Sequence, residues 1–408
     1  MKPFRQTNLL EVNEFLVLDY IREQGPTTRG EVERDLGISR ASVSRIVNRL
    51  RRTGEVVEAA GISPRGGRPS DILTFNYQSG SVIVADLGRR QCHVVVADLV
   101  GTITTDLVRP TQAASSPYGT LRALVLEARQ EAERRELPVS VLVVGLPAIL
   151  DPDSGAALFS PWDFGGADLV ASLARDVQLP ILVENEANLA ALAQAWRGLG
   201  RGLRDFSVIS IGSGVGGAIV ANGQLIRGRN HAAGEVGFLV PAPGDLTMPV
   251  ARSTPMLEGS AGAAGIARRA RLHMAEDHPG SPDGQAELEP EAVFSAAERG
   301  ERWAVKTVEE TLDLIALVVI SIAAAVNPER VIFDGGVGRS LSPYVDRIVD
   351  RVRLRVPYPP DVRVSELGPN STVIGGVAAG LELARQDRAP TAARHPLTAL
   401  WSARRTAV

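Results

Sequence analysis

A chain of 408 residues is too long for one compact core, so two or three domains are expected, and 44% hydrophobic with 22% charged residues describes an ordinary soluble globular protein. A net charge of −3 excludes a global basic field that would draw the whole chain onto nucleic acid. The single cysteine, Cys92, excludes an intramolecular disulfide and any multi-cysteine metal site.

The opening stretch MKPFRQTNLL lacks the apolar core of a signal peptide. The longest apolar run, Leu314 to Val326, is interrupted only by Ser321; it is too short to cross a bilayer and suits a buried helix. A cytoplasmic location with no membrane partner is expected.

Residues 8–23 read as a helix with a broad apolar face, stopped by Gly25-Pro26, and Thr27 or Thr28 caps the next one. Gly37 makes a turn, Ser39 caps a further helix and Gly54 ends it. In that helix Val43, Ile46, Val47 and Leu50 share one face by their i, i+3, i+4, i+7 spacing. The opposite face is centred on Ala41, Arg45, Asn48 and Arg52. A strand at Val56-Val57, the loop ISPRGGRPS at 62–70 and a strand DILTFN at 71–76 form a wing. The pattern predicts a winged helix-turn-helix DNA-binding domain over residues 1–78. Between Ser39 and Ser70, arginines 40, 45, 49, 51, 52, 65 and 68 face only Glu55 and Glu58, a local positive charge suited to phosphate contacts. Arg45, Asn48 and Arg52 are placed in the major groove, with Arg40, Arg49 and Arg68 on the backbone or wing. Ser39, Ser42 and Ser44 complete the expected DNA-binding set.

From residue 81 the pattern changes. SVIVADLG, CHVVVADL and TITTDLV predict consecutive antiparallel strands. A helix over about 117–135 and the strands SVLVVGLP and PILVEN follow, and strands and helices alternate to about residue 385, which argues for an α/β architecture. No internal repeat of 20–50 residues is visible. Residues 386–408 read as a tail of little periodicity, in which Leu397, Leu400 and Trp401 are placed to dock a short final turn.

Three Gly-rich turns follow strands: Asp86-Leu87-Gly88, Gly212 to Gly217, and Asp334 to Gly338. Turns of this kind let backbone N–H groups approach phosphate, and three at wide spacing fit a two-lobed nucleotide-binding fold. Between them lie Glu184, Asn185 and Glu186 at a strand end, Glu235 in NHAAGEVGF and Glu258 in PMLEGSAG. Carboxylates and amides at loop tips beside a cleft suit sugar hydroxyls.

The order of the pieces DLG (86–88), GLP (145–147), VENEANLAALAQAW (183–196), IGSGVGGAIVANG (211–223), AGEVGF (233–238), LEGS (257–260) and FDGGVG (333–338) resembles the ROK family of repressors, open reading frames and kinases. The resemblance covers residues 10–385 and extends to the GGRPS wing of the family's regulatory branch. It implies a two-lobed actin/hexokinase-like domain over 79–385, a sugar-like effector held by Asn185, Glu186, Glu235 and Glu258, and Arg68 near the minor groove.

The sequence departs from the family at its chemistry. ROK kinases carry Asn-Asp where this chain has Asn185-Glu186, and the longer Glu moves the carboxylate at the kinase-base position by roughly 1 Å, which attack geometry tolerates poorly. The phosphate turn Asp-x-Gly-Gly-Thr is here Asp86-Leu87-Gly88-Arg89-Arg90-Gln91, and Asp334 replaces the first Gly of the nucleotide loop. No catalytic residue and no cofactor are therefore expected. The family's zinc site needs a His where Phe238 stands and three cysteines that are missing, so no metal is expected either.

The resulting expectation is a repressor of carbohydrate-metabolism genes that binds a roughly palindromic double-stranded operator as a homo-oligomer, at least a dimer, and answers to a sugar-like effector. The rival readings are an ATP-dependent sugar kinase with a DNA-binding head, and a ligand-independent DNA-binding dimer.

Overall fold

The computed structural model describes residues 6–60, 71–112, 116–151, 157–162, 169–247, 256–277 and 288–388. The wing loop with Arg65 and Arg68, and the tail with Leu397, Leu400 and Trp401, lie outside the described residues.

The head is built from α1 (Gln6–Gln24), β1 (Thr27–Thr28), α2 (Arg29–Leu36), α3 (Arg40–Arg52), β2 (Val56–Ala59) and β3 (Ile72–Phe75). Thr28 caps α2 in a reciprocal box with Glu31, and Thr27-Thr28 also pairs with β3, a short strand the sequence pattern did not indicate. Gly37 closes α2 at φ +64°, a left-handed conformation that turns the chain into α3 without a Cβ penalty. Val43, Ile46, Val47 and Leu50 of α3 are buried with Val17, Ile21, Val32, Leu73 and Phe75 in one small core. Ser39 stands at the N-cap of α3 as expected, but its hydroxyl bonds Ser42 at 3.1 Å instead of a backbone N–H.

The body holds two five-stranded sheets. The first comprises β4 (Ser81–Leu87), β5 (Gln91–Asp98), β6 (Ile103–Pro110), β7 (Val139–Leu146) and, after the small β8 (Ile149–Leu150) and β9 (Ala157–Phe159) pair, β10 (Ile181–Asn185). Helices α4 (Pro117–Arg134) and α5 (Leu169–Val177) cover its outer face, and α6 (Glu186–Arg197) its inner one. The second comprises β11 (Phe206–Ile211), β12 (Val215–Ala221), β13 (Gln224–Ile226), β14 (Arg330–Asp334) and β15 (Asp361–Val364). Around it lie α7 (Glu258–Ala261), α8 (Ala263–Asp277), α9 (Pro290–Glu298), α10 (Arg302–Val326), α11 (Gly335–Ser340) and α12 (Val345–Arg353), while α13 (Ser371–Arg388) packs beside α6 on β4 and β7 of the first sheet. Among the described residues no helix is long and apolar enough to cross a membrane.

Both sheets have the same plan: three consecutive antiparallel strands, then two more added in parallel beside the first. The repeat is one of topology; it leaves no sequence period because each sheet packs against different helices. Between the sheets, α6 and α13 share a core with Val82, Val84 and Val143 of the first sheet and Phe206, Val208 and Ile332 of the second. Their close approach depends on Gly375, where a Cβ would stand 1.7 Å from the Leu189 carbonyl oxygen.

The last turn of α13 meets the head. Arg388 pairs with the buried Glu55 at 2.7 Å, and Arg385 lies over the Phe15 ring. The turn after β5 adds backbone and side-chain bonds, Leu99 N–H to Tyr77 O at 3.0 Å and Arg22 to Leu99 O at 3.1 Å.

Candidate functional site

Burial of one side of α3 leaves Arg40, Ala41, Arg45, Asn48, Arg49 and Arg52 exposed on the other, with Ser42 and Ser44 half-buried. Arg40, Arg45 and Arg52 have no acidic partner among the described residues, while Arg52 donates to the Asn48 carbonyl oxygen. Arg49 differs from the sequence reading in having an internal partner, Glu14 at 3.1 Å. That pair is well exposed, so water and salt screen it and a phosphate oxygen competes for the guanidinium at little cost. Two arginines that the helical face did not single out also belong here. Arg29 donates to the Asn48 side chain at 3.3 Å and pairs with Glu58, which also holds Arg51 at 2.6 Å. They anchor the base of the wing strand β2 to α2 and α3.

The second site lies at the C-terminal ends of the parallel strands of the first sheet, the place where α/β sheets hold ligands. Asp86, Gly145 and Glu184 stand in register across β4, β7 and β10. Asn185 caps α6 by accepting from Ala187 N–H at 2.8 Å, and its amide donates to Ala148 O and to Glu235 Oε1, both at 3.1 Å. Glu184 is not aimed at a ligand. It accepts from Asn185 N–H and the Asn188 amide, and pairs with Arg227 at 2.6 Å, so these residues fix the strand end that presents Asn185. From the second lobe Glu258 accepts the Val215 N–H at 3.2 Å and Arg89 at 2.8 Å. Asp86 Oδ1 is buried without a hydrogen-bond partner among the described residues.

Burial and the proximity of these groups shift their proton affinities. Desolvation, then the Glu186 charge, pushes the Asp86 carboxyl up to about 8. Glu186 is pushed up to about 7 by desolvation, with Arg89 pulling it down and Glu258 pushing it up. Glu235 rises to about 7 by desolvation, then by Glu258 and Glu186. Glu258 is also raised by desolvation, against the pull of Arg89. Among the described residues, four carboxyls thus lie close to one guanidinium, and burial raises the proton affinity of each. The sequence marked Asp86 and Arg89 only as part of an altered phosphate turn; their nearness to Glu186 and Glu258 comes from the meeting of distant segments.

The zinc site that the family resemblance would bring does not fit. Phe238 stacks edge-on against Phe159 with ring centroids 4.9 Å apart, and among the described residues no cluster of His, Cys, Asp or Glu could hold a metal ion. At the third Gly-rich turn Asp334 is buried and caps α11 itself, accepting from Gly335 N–H at 2.7 Å. The backbone donor that a nucleotide phosphate would seek there is taken by a carboxylate.

Residues 10–68 match the MarR family and residues 82–381 match the ROK family. The xylose repressor of Caldicellulosiruptor bescii is 25% identical over 389 residues, covering 91% of this chain and 96% of that protein. A glucokinase of Halalkalibacterium halodurans is 33% identical over 244 residues, 57% of this chain and 73% of the enzyme. Among solved structures, a ROK family transcriptional regulator described as a homolog of the E. coli MLC protein superposes with a TM-score of 0.75 at 21% identity, covering 93% of this chain and 98% of that one. With its two lobes, its cleft and three quarters of its length accounted for in this way, the chain belongs to the ROK family.

Proposed function

We propose that this protein is a transcriptional repressor that binds double-stranded DNA through α3 and answers to a sugar bound between Asn185, Glu186, Glu235 and Glu258. The observation that carries the reading is the connection of the two sites: an arginine-faced α3 sits on a head that is ion-paired to the body through α13. The full-length similarity to a xylose repressor supports the same reading, and a pentose or hexose is the effector class we propose. We place the head at residues 1–78, the body at 79–385, the wing's Arg68 against the minor groove, and the protein in the cytoplasm as a dimer or larger homo-oligomer on a roughly palindromic operator. A gel shift with DNA from its own promoter region at moderate salt, with and without D-xylose, tests it. Absence of any sequence-selective shift would falsify the proposal.

One observation favours a second reading, sugar phosphorylation: Glu186, pushed up to about 7, has the proton affinity of a general base. Against it stand the two arginines of the β4–β5 turn and the self-capped α11. A coupled ADP-release assay over a sugar panel separates the readings, and no turnover above background is expected.

A further inference from the structure

Arg89 and Arg90 are adjacent on the turn between β4 and β5 in the first lobe, and each reaches a glutamate of the second. Arg89 Nη2 lies 2.8 Å from Glu258 Oε1, 169 residues away. Arg90 Nη2 contacts both oxygens of Glu289, the residue preceding α9, at 2.9 and 2.7 Å. The outer pair is open to water and screened by salt. The inner pair, with side chains 29% and 12% exposed, lies inside the cleft, where the charges are less screened. Arg89 also takes the one Glu258 oxygen that the Val215 N–H leaves available.

We propose that Arg89–Glu258 is an autoinhibitory latch: in the sugar-free protein it holds the two lobes together, and an effector gains Glu258 only by displacing the guanidinium. The proposal rests on the reading of this cleft as the effector site and adds its regulation. Among the described residues Arg89 is the cation that acts on Glu186 and Glu258, so its withdrawal leaves those carboxyls to be satisfied by sugar hydroxyls. A polyol that reaches Glu258 therefore trades one hydrogen-bonded partner for another and removes the inner tie between the lobes. Arg90–Glu289 keeps the turn in register while the inner pair exchanges.

Hydrogen exchange followed by mass spectrometry on the full-length protein, without sugar or DNA, tests the latch. In Arg89→Gln, amides of 212–215 and 257–262 are expected to exchange about fivefold faster or more, and the reciprocal swap Arg89→Glu with Glu258→Arg is expected to restore wild-type protection. Wild-type exchange in Arg89→Gln overturns the proposal, as does a swap as open as the single variant. If Arg89→Gln does not fold, the swap decides alone: wild-type protection sustains the latch and faster exchange overturns it. Because neither sugar nor operator enters the measurement, its failure is distinct from a failure of the repressor reading, which the gel shift reports.

Discussion

Arg385, three residues before the end of α13, grips Asp19 of α1 with two parallel bonds, Nε to Oδ1 at 2.6 Å and Nη2 to Oδ2 at 2.7 Å. Both side chains are mostly shielded from water, and the fork geometry fixes an angle as well as a distance. The partnership, strongest through that hydrogen bonding, raises the guanidinium's affinity for its proton. The head is thus held to the body by an oriented contact near a chain terminus.

Asp19→Asn keeps the shape of this contact and removes its charge. It should cost about 1–2 kcal/mol of head stability, a drop of roughly 4–8 °C per kcal/mol for a unit of this size. Differential scanning calorimetry is expected to show the head melting ahead of the body. Arg388→Gln, whose guanidinium is more than half exposed, should shift the head far less.

On DNA, Arg45 and Arg49 should behave differently. Arg45 has no acidic partner among the described residues and is assigned to base edges, so Arg45→Ala should weaken operator binding by about 5–150-fold and relax sequence preference. Arg49→Ala should weaken operator and scrambled DNA alike, and lower the salt slope by about 1. Fluorescence anisotropy on both DNAs at several salt concentrations reads the two effects separately.

Stability should fall as pH rises. The Asp86 carboxyl titrates at about 8 in the folded protein and Glu186 and Glu235 at about 7, against roughly 4 in an unfolded chain. Groups raised in this way bind protons more tightly when folded. Their stabilisation is complete below about pH 4 and is lost as pH climbs through 7 to 8. Melting temperature should decline between about pH 5 and 8.5, and Glu235→Gln should flatten part of that decline.

The helix contact between the sheets can be graded. Gly375→Ala drives a methyl into the Leu189 carbonyl oxygen and should cost about 3 kcal/mol or more, or prevent folding. Gly380→Ala meets only the Val82 side chain, at 3.1 Å and beyond, and the helix propensity gained, about 1 kcal/mol, offsets most of that crowding. Urea denaturation should therefore rank Gly380→Ala close to wild type and Gly375→Ala far below it.

The recognition helix was legible because a 3.6-residue period writes its buried side directly into the sequence; Val43, Ile46, Val47 and Leu50 are all in the core. The five strands of the first sheet were legible for the related reason that β-branched runs end at turn residues, whereas β12, β13 and β15 of the second, which are short or glycine-rich, were not. The extra negative charge of Asp334 was legible too, but its use as the cap of α11 depends on backbone direction, which composition does not carry. Arg89 shows the limit most clearly. Beside Arg90 it reads as a bulky intrusion near phosphate, and only the folding of two lobes brings Glu258 to it. Arg49 likewise reads as free until α1 brings Glu14 alongside.

The first turn of α13 touches the cleft, where Thr372 lies against Gly145 in the row of Asp86 and Glu184, and its last turn carries Arg385. Its 18 residues make a lever arm about 27 Å long. A tilt of about 5° at the cleft end swings the far end by roughly 2 Å, the scale of helix shifts that switch other proteins. In an assembly that presents two heads to DNA, equal swings add across the pair. A small change in lobe angle would then be read as a change in the distance between two recognition helices.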